Sequence, residues 1–492
     1  MTKEEKNATG QIFKATAIMG GASAVSIVTG VVKNKVIAVL LGPECIGLMG
    51  LLQAVLNTAE TLAGMGLATS GIRQIADAQS QGNASEVAQT RHALRRASFA
   101  LGLLGALFLI IFREPVATLV LGDKSYAGAI AWMAVGAWAT VIAGAQTAIL
   151  NGLRRLGDLA RAYIFSALGG MLFTVLAVWQ WGEKGVIAAV ISTPLVLMVV
   201  SWWFMVKLPS TSAHLSWTDL RQPLRKLFNL GFTFMITSLT KVATQLAVRI
   251  MITQTLGIAA AGYFQAAWSI SLLYLGFILE AMGKDYYPRL TAVNKDRETT
   301  NNLVNEQIRA ILLLAGPVIL GTLTLTAQVV QIIYSGAFSN TVVILQWLCI
   351  GDLFKIASWP VTFILVAQGR GSLFFATEFF WHLVFLGLVW GGLPIWQIKA
   401  AGIAYLLTFF IYFWALWLIA YRVNRFAWRK KNLLLLAVLL GCALAIAWGK
   451  SLPGVWPLAL GLTLTAIMGA FSMASIARSL GRLPWNKNTR GT

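Results

Sequence analysis

Residues 35–48 read Lys35-Val-Ile-Ala-Val-Leu-Leu-Gly-Pro-Glu-Cys-Ile-Gly-Leu48. A lysine lies inside an apolar run, and the run stops at Gly42-Pro43. Proline has no amide donor and disfavours a helical residue before it, so the pair marks a helix end or a break. The pattern returns about 215 residues downstream as Arg249-Ile-Met-Ile-Thr-Gln-Thr-Leu-Gly257, followed by Gly262-Tyr263. A cation inside an apolar segment, then a Leu-Gly turn, therefore occurs twice. The expectation is a chain made of two copies of one six-span membrane unit, each giving a cation to a shared central cavity.

Composition supports burial in a membrane. Of 492 residues, 58% are hydrophobic and 12% charged, too apolar a balance for a soluble chain of this length. Runs of roughly 20 apolar residues, enough for a helix to cross the hydrocarbon layer, recur throughout. A membrane barrel would alternate polar and apolar residues, whereas Leu433 to Trp448 is apolar on every face. The fold class expected is an all-α polytopic membrane protein with about fourteen transmembrane helices. The first span is too long for the apolar region of a cleavable signal and is expected to stay as a helix.

The net charge of +21 does not point to nucleic acid, because its placement is topological. Of 39 Lys and Arg, 29 fall on one set of connections and 5 on the opposite set. Such an excess marks the cytoplasmic side, so both termini are expected there, in a bacterial inner membrane. Trp179, Trp181, Trp390, Trp396, Trp448 and Trp456 fall near expected outer ends, where amphipathic rings favour the headgroup layer. Cys45, Cys349 and Cys442 are too scattered for a metal cluster and read as small buried residues. No hydrolase triad, phosphate-cradling loop or metal-ligand spacing stands out, so no cofactor, no metal and no catalytic chemistry are expected.

Three landmarks recur nearly in step. Leu41-Gly42 matches Leu256-Gly257, Arg73 matches Arg289, and Asn151-Gly152 matches Gln368-Gly369, at offsets of 215, 216 and 217. Six spans is an even number, so both copies enter the membrane from one side and the pseudo-two-fold axis runs along its normal. This gives an N-terminal six-helix bundle over 1–206, a cytoplasmic linker over 207–227, a second six-helix bundle over 228–425, and an appended two-helix hairpin with a cytoplasmic tail over 426–492. The basic stretch from Arg221 to Lys226 suggests a surface helix in the linker. Two pseudo-symmetric bundles around a central cavity suit alternating access.

Charges inside the spans are the candidate site. A charge at the bilayer centre costs at least about 2.5–3.5 kcal/mol, so it faces protein or a wet cavity. Lys35 lies seven residues before Gly42. Lys33 points to another face, and Lys35 is taken for the cavity over snorkelling to the interface. Lys241 and Arg249 are eight residues apart, close to one helix face, a track along which an anion could slide. Arg forks around phosphate oxygens and Lys acts as a point charge; a structural ion pair or a helix-end anchor is the alternative. The tenth span carries Asp352 and Lys355 at i,i+3, and the next carries Glu378 and His382 at i,i+4. Their hairpin could bring the four together, where a carboxylate–histidine pair could couple transport to protons. Mutual neutralisation and local hydrogen bonding are the plainer readings. Glu60 and Glu280 are further in-span acids with no assigned place.

The segments Lys35…Leu-Gly-Pro43…Gly47-Leu48, Arg249…Gly262-Tyr-Phe-Gln265…Ser269-Ile-Ser271 and Gly351-Asp352-Leu-Phe-Lys355 together resemble the Wzx-type polysaccharide flippases. These form part of the polysaccharide transporter family in the multidrug/oligosaccharidyl-lipid/polysaccharide exporter superfamily, with O-antigen and enterobacterial common antigen (lipid III) flippases as the nearest kin. The resemblance covers about residues 10–425. It implies a protein that moves undecaprenyl-diphosphate-linked oligosaccharide units from the cytoplasmic to the periplasmic leaflet for O-antigen, lipopolysaccharide or related surface polysaccharide. By the same resemblance Lys35, Arg249, Asp352, Lys355 and Glu378 fall on family positions and Arg73 on a basic one. Lys33, Glu60, Lys241 and His382 match no family pattern and rest on spacing.

The substrate diphosphate would then be held by Lys35, Arg249, Lys241 and Arg73, while Asp352, Lys355, Glu378 and His382 would serve the cavity or ion coupling. The partners implied are the lipid-linked oligosaccharide, membrane lipid, a polysaccharide polymerase and a chain-length regulator; a monomer and no nucleic acid are expected. The hairpin beyond 425 departs from the closest twelve-span relatives. A drug exporter of the same superfamily is the main alternative, and more in-span cations than acids lean against it. A membrane polymerase or ligase would need a sizeable outer loop, which the sequence does not offer.

Overall fold

The computed structural model describes residues 3–208, 217–451 and 453–480, apart from the side chains of 3–17, 217–218, 284 and 479–480. Residues 209–216 of the expected linker and the expected tail from 481 lie outside the described residues. Among the described residues every regular element is helical. Eleven helical stretches of the described residues are long and apolar enough to cross a membrane; three of them, of 47, 51 and 54 residues, each hold two helices of crossing length divided by a break, which yields the fourteen crossings expected. Hydrocarbon offers no water to backbone amides and carbonyls, so such a chain satisfies them within helices.

The first helix, α1 (Lys3–Gly64), shows how sequence sets a break. It is interrupted at Gly42, where φ is 78° and ψ −168°, immediately before Pro43. Glycine reaches that conformation with no Cβ to clash, and Pro43 lacks the amide that would close the next helical bond. There follow α2 (Leu67–Ser80), α3 (Ala84–Ile111), the short α4 (Arg113–Leu121), α5 (Ala127–Gly152), α6 (Leu156–Trp181), α7 (Gly185–Val206) and α8 (Trp217–Leu256). All belong to one compact unit, Met1–Gly262 with Ile333–Ser335. In it α5 packs on α1, α2, α3 and α7, and α8 lies against α1, α2, α3 and α4. The stretch from Arg221 to Lys226 is the beginning of α8 itself, a single 40-residue helix, and not a separate surface helix. The repeat places a boundary at 207–227, whereas packing places one after α8, at Gly262.

The second unit takes in Tyr263–Ile332 and Gly336–Thr492. It holds most of α9 (Ile258–Val293), then α10 (Arg297–Thr324), α11 (Thr326–Ile333), α12 (Ser339–Ala367), α13 (Gly371–Trp396), α14 (Ala400–Asn424), α15 (Lys430–Gly449) and α16 (Trp456–Leu480). The order from α3 to α7 recurs from α10 to α14: long helix, short helix, 3-10 turn, two long helices, 3-10 turn, long helix. Backbone bends match as well. Gly182 ends α6 at φ 56°, ψ −129°, and Gln397 ends α13 at φ 46°, ψ −125°. Arg154 (φ 55°) follows α5 as Gly369 (φ 71°) follows α12. The next amides, of Arg155 and Arg370, bond Leu150 O and Leu365 O, each at 2.9 Å. The third sequence landmark is thereby corrected by two residues: Arg154, not Gly152, is the counterpart of Gly369, and the offset returns to 215. The match is hidden in sequence because a non-glycine residue sometimes occupies the left-handed region.

The C-terminal hairpin is docked within its unit. α15 packs on α10 and α12, and α16 on α10. Asn305 of α10 donates to Ala427 O and accepts from the Arg429 amide and the Asn432 carboxamide. Those bonds hold the start of α15, since leaving one such buried group unsatisfied costs about 1–3 kcal/mol.

Two helix crossings in the first unit leave no room for a side chain. A Cβ on Gly47 of α1 would overlap Ile258 O, and one on Gly262, in the first turn of α9, would overlap Pro43 O. At the end of α1, Gly66 meets Gly231 of α8, where a Cβ on Gly231 would lie 2.5 Å from Met65 O. Gly262→Ala is expected to lower the melting temperature through an overpacking cost of about 1–3 kcal/mol. Gly276→Ala, on the same helix with open space at its Cβ, should be neutral or stabilise by up to about 1 kcal/mol through helix propensity. Thermal melts that do not separate the two variants would refute the crossing.

Candidate functional site

Polar side chains gather at one centre in each unit. In the first unit a cavity of about 270 Å³ is lined by Asn57, Glu60 and Thr61 of α1, Thr140 of α5, and Ser238 and Val242 of α8. Gly66 also borders it, so the Gly66–Gly231 crossing lies at its edge. The polar face of α1 continues upward at helical spacing, where the Gln53 carboxamide donates to Asn57 Oδ1 at 2.9 Å. The Glu60 carboxylate has no hydrogen-bond or ion-pair partner among the described residues. A carboxylate in a crossing helix with no protein partner and a roomy polar cavity beside it is placed to meet water, a cation or a ligand hydroxyl. Sequence reading noted Glu60 without placing it. The signal was there in the spacing, because Asn57, Glu60, Thr61 and Gly64 form one face of an otherwise apolar helix.

The expected diphosphate-binding residues all lie in this unit but in different settings. Arg249 is 5% exposed and donates from Nη1 to Gln245 O at 2.8 Å. It follows Ser238, Val242 and Gln245 along α8 at spacings of three and four residues; Ser238 and Val242 line the Glu60 cavity, and Arg249 lies two turns beyond Val242. Lys241 is exposed. Eight residues carry the helix roughly 80° past two full turns, enough to bury one cation and expose the other. Lys33 and Lys35 are both half-buried. Arg73 is on the exposed side of α2, 3.9 Å from Asp77, a surface pair of small energetic consequence.

In the second unit Asp352 of α12 is fully buried. Its Oδ2 accepts from the Ser271 hydroxyl at 2.9 Å and the Tyr274 hydroxyl at 2.5 Å, and its Oδ1 accepts from Tyr405 of α14 at 2.7 Å. The Tyr405 oxygen accepts in turn from Lys355 Nζ at 3.2 Å, so a tyrosine links this acid and this base. The Lys355 ammonium also lies 5.6 Å from the Phe409 ring centroid, within cation–π range. Glu378 of α13 accepts from the Tyr412 hydroxyl at 2.9 Å. His382 is buried with its ring edge-on to Trp381, 4.7 Å between centroids. The four expected partners are thus distributed: Asp352 and Lys355 share Tyr405, while Glu378 has Tyr412, seven residues further along α14. Sequence reading missed these tyrosines, although hydroxyls at i,i+7 in an apolar span mark one face.

Among solved structures the fold is similar to the lipid II flippase MurJ in an inward closed conformation, with a TM-score of 0.73, 14% identity, and coverage of 95% of this chain and 100% of that one. It is also similar to the inward-facing conformation of a multidrug resistance MATE family transporter, with a TM-score of 0.70, 15% identity, and coverage of 81% and 94%. Repeated helical units with polar centres inside the crossing segments define a polytopic membrane protein of this fold. The chain belongs to the polysaccharide biosynthesis protein family, whose pattern matches residues 36–343. It is 21% identical to the lipid III flippases of Escherichia coli (strain K12) and Shigella flexneri, over 82% of this chain and 96% of theirs.

The tyrosine bridge sets a test. Tyr405→Phe removes a donor from a buried carboxylate and the acceptor of Lys355, so unfolding should become easier by about 1.5–3 kcal/mol. The same change at Tyr287, which is 39% exposed, should move the melting temperature little. A Tyr405→Phe variant as stable as wild type would remove the structural role given to the bridge.

Proposed function

We propose that this protein is a flippase moving undecaprenyl-diphosphate-linked oligosaccharide units from the cytoplasmic to the periplasmic leaflet of the bacterial inner membrane, for surface polysaccharide assembly. The observation that carries the proposal is a buried guanidinium, Arg249, inside a crossing helix of a chain similar over most of its length to lipid III flippases. A diphosphate cannot cross hydrocarbon unaccompanied. Arginine remains charged when buried and binds phosphate oxygens through a planar fork. Arg249 and Lys35 hold the diphosphate in transit, and the exposed Lys241 and Arg73 engage it on approach. Asn57, Glu60, Thr61 and Thr140 offer the hydrogen bonds that hydrated sugars need. The polyprenyl tail stays in lipid.

Movement is by alternating access, with the Gly47–Gly262 and Gly66–Gly231 contacts parting in turn. Asp352, Lys355, Glu378 and His382 are the groups through which protonation or an ion couples to that movement. Both termini are cytoplasmic, the protein works as a monomer, and a polymerase with its chain-length regulator takes up the product. No enzymatic step belongs to the chain itself. The similarity to a multidrug exporter favours a small-molecule cargo as the second reading. The in-span cations favour an anionic cargo over the cationic drugs that reading would bring.

The test follows labelled lipid-linked oligosaccharide across the two leaflets in vesicles. Arg249→Ala and Lys35→Ala should each slow its transfer by about tenfold or more, the equivalent of one charged hydrogen bond of about 1.5–3 kcal/mol, while the protein still inserts. Leaflet distributions unchanged in both variants would defeat the assignment.

A further inference from the structure

The first unit carries a second and larger recess, which meets the polar cavity at Ser98. It is a groove of about 710 Å³ over α5, walled by α3 and α7. Its lining divides in two. Phe99, Trp138, Met198, Val199 and Trp202 form an apolar trough, and His92, Arg95 and Arg96 stand at one end. Phe99, Val199 and Trp202 are 52%, 57% and 54% exposed, so no described residue covers the trough. Arg95 and Arg96 are exposed, and neither is ion-paired with a carboxylate among the described residues.

Depth in the membrane can be read from the neighbouring end of α7. There Lys207 Nζ lies 3.3 Å from the Trp203 ring centroid. Tryptophans followed by lysine at a helix end mark the headgroup layer. Trp202 belongs both to this belt and to the groove, so the charged end opens among headgroups while the trough runs toward the hydrocarbon.

We infer that this groove is a binding site for an anionic phospholipid, whose phosphate is held by Arg95 and Arg96 and whose acyl chain lies along Trp138, Val199 and Trp202. Charge decides the class. A zwitterionic lipid brings its own cation to a cluster that already holds uncompensated positive charge, whereas an anionic lipid neutralises the cluster. Size decides between lipids. The volume falls in the range of about 300–1,000 Å³ typical of single-ligand sites, which suits part of a phospholipid and not the full length of a polyprenyl tail. Cations placed only to orient the chain need no apolar trough beside them. A lipid here would tie α3 to α7 across α5. The leaflet that supplies it follows from the orientation proposed above, but the site itself does not depend on what the protein transports.

The experiment titrates phosphatidylglycerol and phosphatidylcholine separately onto the purified full-length protein in detergent and counts retained lipid by native mass spectrometry. Wild type should retain phosphatidylglycerol in preference to phosphatidylcholine. The double variant Arg95→Gln/Arg96→Gln should lose phosphatidylglycerol retention by roughly thirtyfold, from roughly fivefold per basic residue near the membrane surface, with phosphatidylcholine unaffected. Arg289→Gln, at an arginine paired with Asp285 in the other unit, should retain both lipids as wild type does. Should the double variant not fold, added salt on wild type must displace phosphatidylglycerol and spare phosphatidylcholine. Equal retention of the two lipids by wild type, insensitivity to salt, or the same loss in Arg289→Gln would overturn the site. Preference for undecaprenyl phosphate over phosphatidylglycerol, abolished in the double variant, would overturn the choice of occupant and give the groove to the transported lipid.

Discussion

A charged or hydrogen-bonding group placed in hydrocarbon has to be answered by the protein or by water, and the interior of this molecule is arranged around that constraint. Asp352 is the clearest instance. It is enclosed on all sides, and three hydroxyls from α9 and α14 converge on its two oxygens. A carboxylate at the bilayer centre would otherwise be among the costliest groups in the chain. Enclosure of this kind makes α9, α12 and α14 dependent on one another, because no one of them alone supplies both the acid and its donors. Glu60 represents the opposite solution. It has a polar cavity in place of protein donors, which leaves its carboxylate available to something that comes and goes.

The glycine crossings express the same economy in packing. Apolar side chains gain little by leaving lipid for protein, since both surroundings are apolar, so close backbone approach and dispersion carry more of the association between crossing helices. α1 and its neighbours meet at Gly47 with Gly262 and at Gly66 with Gly231, where backbone touches backbone. At these points no side chain stands between the two backbones. The two compact units differ in polar content: a hydroxyl-caged acid in one, a cavity-facing acid and a buried guanidinium in the other.

The proposed function joins these centres to a cargo class. A phosphate-bearing lipid presents a charged head, a hydrated oligosaccharide and a long apolar tail, three surfaces with incompatible solvents. In the proposed function the buried Arg249, the polar cavity walls and a lipid-exposed flank answer these three surfaces. The groove over α5 adds a fourth, the proposed seat of an ordinary membrane lipid against a basic cluster.

Composition and periodicity were enough, before any coordinates, to read the all-helical membrane class, the fourteen crossings, the break at Gly42-Pro43 and the internal repeat. Each of these is set by interactions local in sequence: apolar length against bilayer thickness, proline without its amide, a pattern repeated at a constant offset. The in-span charges could be named for the same reason, since a lysine or aspartate among twenty apolar residues is conspicuous. Their partners could not. Tyr405 is 53 residues from Asp352 and Tyr412 is 34 from Glu378, and nothing local requires those hydroxyls to meet those carboxylates. Side-chain environment along α8 was equally out of reach, because spacing fixes the angle between Lys241 and Arg249 while the packing of α1 to α4 decides which of them is buried. The counterpart of Gly369 was misplaced by two residues because left-handed backbone at Arg154 leaves no mark in the residue type. Sequence alone determined where the chain crosses and which groups pay for crossing; only the assembled helices determined which of those groups are enclosed and which stay open to a ligand, because that choice depends on contacts between segments far apart in the chain.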